Sequence, residues 1–106
     1  MTPEAKVKKY LREECKKRGW QCLPLKGPRN WQDYTILIPF GVIVFVEVKA
    51  QNADLSTDHV NAQKRKINEL IDLGFPTYMI KGIDGNHGAK DLLARMDTIV
   101  NDFPSP

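Results

Sequence analysis

The run Val42-Ile43-Val44-Phe45-Val46-Glu47-Val48-Lys49 constrains the fold more than any other stretch of the chain. Its apolar, largely β-branched composition and its short length fit a buried strand better than a helix. Side chains alternate between faces along a strand. Val42, Val44, Val46 and Val48 therefore share one face, and Ile43, Phe45, Glu47 and Lys49 share the other. Removing a charge from water is costly unless the charge is paired or bound to a metal. A carboxylate and an ammonium at the end of the most apolar strand need such a partner. Two readings supply one: a salt bridge capping a strand end, or a carboxylate that holds a metal beside a lysine that meets a phosphate.

The flanking segments bring further polar groups towards this strand. Asp33 opens Tyr34-Thr35-Ile36-Leu37-Ile38, a second strand, and Pro39-Phe40-Gly41 turns the chain into Val42. So short a connection predicts an antiparallel hairpin. The start of one strand then lies beside the end of the other, and Asp33 becomes a neighbour of Glu47. Upstream, Thr2-Pro3-Glu4 reads as a helix start, with a capping hydroxyl, proline in the first turn and an acid at the positive end of the dipole. Val7, Leu11 and Cys15 recur at helical spacing and Gly19 closes the helix. Lys6, Lys8, Lys9, Arg12, Lys16, Lys17 and Arg18 fill much of its remaining surface. They suit a solvated face or a surface that tracks phosphates. Trp20 to Leu25 is a short strand, followed by a loop from Lys26 to Gln32 marked by Gly27-Pro28 and Asn30.

Downstream, residues 51–56 form a polar loop whose end, Ser56, Thr57 or Asp58, caps a helix over Asp58 to Leu73. Its inward stripe is Val60, Ile67, Leu70 and Ile71. Gln63 stands in that stripe where an apolar residue is expected, so its amide needs a buried partner. Lys64, Arg65 and Lys66 occupy the adjoining faces. A strand over Pro76 to Ile80, a loop over Gly82 to Gly88 and an amphipathic helix from Ala89 to about Val100 complete the pattern. The order is helix, three strands, helix, strand, helix. It predicts one α/β domain over residues 1–106, with helices flanking a mixed central sheet.

Composition bounds the function. The 106 residues carry a formal net charge of +3, and the isoelectric point near 8.9 permits a nucleic-acid partner without requiring one. No apolar run approaches the roughly 20 residues that span a bilayer, and the charged opening segment does not read as a secretory leader. Cys15 and Cys22 lack a metal-type partner pattern and are expected as reduced packing residues of a cytoplasmic protein. His59 and His87 lack paired ligands and suit surface or loop positions.

The candidate site gathers Glu4, Asp33, Glu47, Lys49, Gln63 and the Val48 carbonyl. Mg²⁺ takes oxygen ligands in octahedral geometry, keeps several waters and needs few protein carboxylates. Asp33 and Glu47 match that demand, and Lys49 projects from the same face to orient a water or offset charge on phosphorus. Each residue also has a plainer role: Glu4 as a dipole partner, Asp33 as a turn residue, Glu47 and Lys49 as an ion pair, Gln63 as a satisfied core amide.

Asp33 followed by Glu47-Val48-Lys49 at the end of a hydrophobic strand resembles the Asp…Glu-x-Lys signature of the PD-(D/E)XK nuclease superfamily. Within it the chain is similar to the VRR-NUC group of small, stand-alone nucleases. Glu4, Lys26-Gly27, Phe45-Val46-Glu47-Val48-Lys49, Leu55-Ser56, Gln63 and Gly74 extend the likeness over most of the chain. Two departures stand out. Gln32 takes the place usual for proline, after Trp31 in a longer loop, and the segment from Leu55-Ser56 to Gln63 is longer than the pattern. The resemblance implies a restriction-endonuclease-like core and Mg²⁺- or Mn²⁺-dependent hydrolysis of DNA phosphodiesters. It implies Asp33, Glu47 and the Val48 carbonyl as ligands of the catalytic metal, and Glu4 as support for a second metal or a bound water. It makes Lys49 the catalytic lysine, with Gln63 orienting Lys49 or a water.

Lys26, Arg29, Trp31 and Lys64 are the expected DNA contacts, Trp31 either stacking on a base or packing on the core. By analogy with small nucleases, a homodimer acting on branched, Holliday-junction-like DNA in a bacterial or phage-infected cell is expected. A non-cleaving nucleic-acid-binding module on the same fold is the alternative, and RNA as the substrate stays open.

Overall fold

The structure is a computed structural model that describes residues 1–27 and 32–103. Helix α1 (Pro3–Lys17) leads into strands β1 (Gln21–Pro24), β2 (Tyr34–Ile38) and β3 (Val42–Lys49). Helix α2 (Asp58–Asp72), strand β4 (Thr77–Lys81) and helix α3 (Ala89–Asp102) follow. The element order is the one that the hydrophobic periodicity predicts. The sheet runs β1-β2-β3-β4, antiparallel up to β3 and parallel between β3 and β4. The parallel pair follows from α2, which carries the chain back across the sheet before β4 begins.

Local signals set the helix bounds. The Thr2 hydroxyl accepts from the Ala5 N–H and starts α1, and Thr57 does the same for Val60 and α2. Gly19, at φ 76°, takes the left-handed conformation that ends α1. The β2–β3 connection is a short 3₁₀ turn, Pro39–Gly41, in which Phe40 has φ 70° and stacks on Phe103.

The two sheet faces differ in kind. Tyr34, Ile36 and Ile38 pair in register with Val46, Val44 and Val42, so all lie on one face. Most of that face is buried with Leu11, Cys15, Leu92, Leu93 and Met96 of α1 and α3 in one core. Arg18 ties the two helices together, its guanidinium donating to both carboxylate oxygens of Asp97 at 3.0 and 3.1 Å. The opposite face carries Phe45, Glu47, Lys49, Thr77 and Met79 and is covered mainly by α2, through Val60, Gln63, Ile67 and Leu70, with Phe75 edge-on against Phe45. Ile71 does not join this stripe: it is 49% exposed, because a step of one residue past Leu70 turns the side chain away from the sheet. Leu23 and Leu37, beyond the reach of α2, stay exposed. No helix among the described residues is long and apolar enough to cross a membrane.

Candidate active site

Register builds the site. Tyr34 pairs with Val46 across β2 and β3, so Asp33, one residue earlier, falls opposite Glu47. Asp33 is fixed by the sheet itself: its Oδ2 accepts from the Val48 N–H at 2.8 Å. Strand alternation puts Glu47 and Lys49 on the α2 face, and the Lys49 ammonium lies 3.4 Å from Glu47 Oε1. Both are removed from water, with side-chain exposures of 12% for Lys49 and 5% for Glu47. Gln63 reaches the same carboxylate from α2, its Nε2 donating to Glu47 Oε1 at 2.7 Å. The polar residue in the helical stripe thus meets the acid in the apolar strand.

One oxygen of Glu47 is spoken for and the other is not. Oε2 is buried without a hydrogen-bond partner among the described residues, as is Oε1 of Gln63. Burial first, and then the negative charge of Asp33, push the Glu47 carboxyl up to about 7 against the pull of the Lys49 ammonium. A buried acid with a free oxygen, facing a second carboxylate, is the donor set that a hard divalent cation neutralises. Among the described residues no three His, Cys, Asp or Glu side chains form a metal cluster. The carboxylate pair Asp33 and Glu47, with the Val48 carbonyl, could offer an ion only a few ligands, the number that suits Mg²⁺ keeping most of its waters.

Glu4 meets the site through another residue. Lys8 Nζ lies 3.3 Å from Glu4 Oε2 and 3.5 Å from Asp33 Oδ1. Burial alone lowers the affinity of Lys8 for its proton, but Asp33 and Glu4 together outweigh it and leave the pKa raised. Sequence reasoning placed Lys8 with the helix's surface bases. Its spacing of four residues from Glu4 was the available signal.

The remaining expected contacts divide. Lys64 is exposed on α2 and its Nζ donates to the Leu55 carbonyl at 3.0 Å. Lys26 is exposed at the end of the described β1 loop. Arg29 and Trp31 lie outside the described residues. Gln32 is fully buried next to Asp33, with neither amide atom paired among the described residues. Bases of α1 are held locally, Lys9 by Glu13 and Lys17 by Glu14, and Arg18 just past its end is held by Glu14 and by Asp97 of α3. His59 and His87 are exposed.

With this geometry in view, the comparisons are few. No family model matches the sequence, and no curated protein matches it. A solved structure described as a VRR_NUC domain aligns with 98% of this chain and 100% of its own, at 24% identity and a TM-score of 0.65. The chain has the fold of a VRR_NUC domain. On this VRR_NUC fold the acidic pair occupies the hairpin of β2 and β3, and α2 supplies the amide that steadies it.

The raised Glu47 carboxyl has a signature in stability. As pH rises past 4.5, an unfolded glutamate loses its proton while the native Glu47 keeps it to about 7. The native state then binds more protons, so stability falls across that window and levels above it. Thermal melts of the metal-free protein across this range are expected to show that decline in the wild type and not in Glu47→Gln. Equal slopes in the two proteins would contradict it.

Proposed function

We propose that this domain is a divalent-metal-dependent endonuclease that hydrolyses DNA phosphodiesters. The observation that carries the reading is the buried Glu47, with one oxygen held by Gln63 and Lys49 and the other unpaired, opposite Asp33. Asp33, Glu47 and the Val48 carbonyl would hold one Mg²⁺ or Mn²⁺, whose charge would polarise the phosphoryl oxygen and acidify a water. In the reaction a water oxygen bonds to phosphorus, the P–O bond to the leaving sugar breaks, and the water's proton passes to solvent or to the leaving oxygen.

The chain's own residues position these events. Lys49 keeps an ammonium within a few ångströms of the acidic pair and offsets the negative charge that builds on the phosphoryl group. Gln63 holds Glu47 Oε1 and so leaves Oε2 for the ion, while its own Oε1 is free to accept from a water. Lys8 supplies a fixed positive charge between Glu4 and Asp33. Glu4 then serves by holding Lys8 at Asp33, and the site works with a single ion. Lys26 and Lys64, both exposed, are the proposed phosphate contacts.

The substrate class we propose is branched DNA. One sheet of four strands with three helices presents little surface for reading sequence, which favours recognition of branched DNA. A closed two-fold dimer sets two such sites on one junction. The exposed Leu23 and Leu37, on the part of the sheet that α2 leaves open, are apolar surface for that contact.

Incubation of a branched junction and a linear duplex with Mg²⁺ or Mn²⁺ tests the activity. Wild type is expected to cut the junction only with metal, and Lys49→Ala to lose about a hundredfold or more in rate, the scale of removing one preorganised charge from a developing anion. Tight binding with no cleavage under either metal would instead make the chain a non-cleaving module. Light scattering tests assembly: a mass twice the 12.1 kDa chain is expected, and a monomer at assay concentration would reject the dimer.

A further inference from the structure

The sheet face that bears Glu47 and Lys49 also carries a cleft that the hydrolytic residues do not use. It has a volume of about 400 Å³ and opens between α2 and β4. The parallel register ties it to the site. Glu47 pairs with Met79 and Lys49 with Lys81, and both Met79 and Lys81 line the cleft. Neighbouring strands lie about 4.8 Å apart. The cleft therefore begins one strand away from the acidic pair, within the reach of a phosphate to its own nucleoside.

Its chemistry is mixed in a specific way. Ile67 and Met79 give it an apolar lining, with a polarizable sulfur suited to an aromatic ring. Asn68 and Asn86 add carboxamides, each with a donor and an acceptor of the kind that pairs with base edges. Among the described residues no acid lines it, whereas Lys64, Lys81 and His87 do. Lys64 is engaged with the Leu55 carbonyl, and Lys81 makes no salt bridge among the described residues, its charge acting only at longer range on Asp54. The far wall is preformed. The loop after β4 is pinned to the sheet by Lys81 N–H to the His87 carbonyl at 2.8 Å and Gly82 N–H to the Lys49 carbonyl at 3.0 Å. An apolar, preformed hollow with a few convergent polar groups is the usual form of a small-molecule subsite.

From this juxtaposition we infer that the cleft receives the nucleoside next to the scissile phosphate, turned out of its stack, with its base against Met79 and Ile67 and its edge at Asn68 and Asn86. The inference rests on the nuclease reading for its biological setting, but the subsite itself is open to test without catalysis. An unstacked base is cheapest to obtain at a branch or a single-stranded end, which accords with a branched substrate. Lys81 then faces the phosphate that links this nucleoside to the next, beside Lys49.

The test is a heteronuclear NMR titration of the whole metal-free protein with deoxynucleoside 5′-monophosphates, with deoxyribose 5-phosphate and inorganic phosphate as controls. Shifts are expected at the Met79 methyl and at the Asn68 and Asn86 side-chain amides with the nucleotides and not with either control. Asn68→Trp, at an exposed helix position, is expected to fill the cleft, abolish those shifts and slow junction cleavage roughly tenfold, the scale of one lost base-stacking contact. Its circular-dichroism melt checks that it folds. Should Asn68→Trp not fold, the wild-type titration against its two controls decides alone. Shifts with deoxyribose 5-phosphate equal to those with nucleotides would reduce the cleft to a phosphate site and overturn the inference. Absence of shifts at these residues would overturn it too. Nucleotide shifts in a protein that cuts no DNA would sink the nuclease reading and leave the subsite standing.

Discussion

The structure turns on one buried carboxylate. Glu47 sits in the most apolar strand of the sheet, where an isolated charge is costly. Three groups answer it: the Gln63 amide, the Lys49 ammonium and, across the hairpin, Asp33. The first two favour the ionised acid and the third opposes it. The carboxyl is left poised near neutrality with one oxygen free. The proposed metal site rests on that imbalance: the ion pair alone leaves the second buried oxygen of Glu47 unmatched among the described residues.

Much of this was legible in the sequence because strands have a period of two. That period alone puts Glu47 and Lys49 on one face, and the short Pro39–Gly41 turn forces Asp33 towards Glu47. Gln63 was legible for the opposite reason: it interrupts a helical stripe that is otherwise apolar, and a buried amide must find a partner. The same stripe misleads at Ile71, since the period of 3.6 leaves adjacent apolar residues a choice of face that only packing resolves.

What stayed hidden involves long, flexible cations. Lys8 looked like one of many surface bases on α1, and only the three-dimensional approach of α1 to the start of β2 shows it between Glu4 and Asp33. Arg18 was similarly unreadable, because its partner Asp97 is distant in sequence and meets it only when α3 packs on α1. Helical charge runs report solvation well and specific partners poorly. The cleft beside β4 was also invisible, since it arises from a loop folding back on the sheet rather than from any periodic pattern.

On this account a small chain sets its proposed site on a single sheet face, while most of the other face is buried in the core. The central claim is that the free oxygen of Glu47 and the carboxylate of Asp33 await one divalent cation. Anomalous diffraction from a crystal soaked in Mn²⁺ measures this most directly. The account predicts one peak, coordinated by Asp33, Glu47 and the Val48 carbonyl oxygen at about 2.1 Å, the distance of a hard octahedral ion. A map with no peak between those two carboxylates at saturating Mn²⁺ would contradict it.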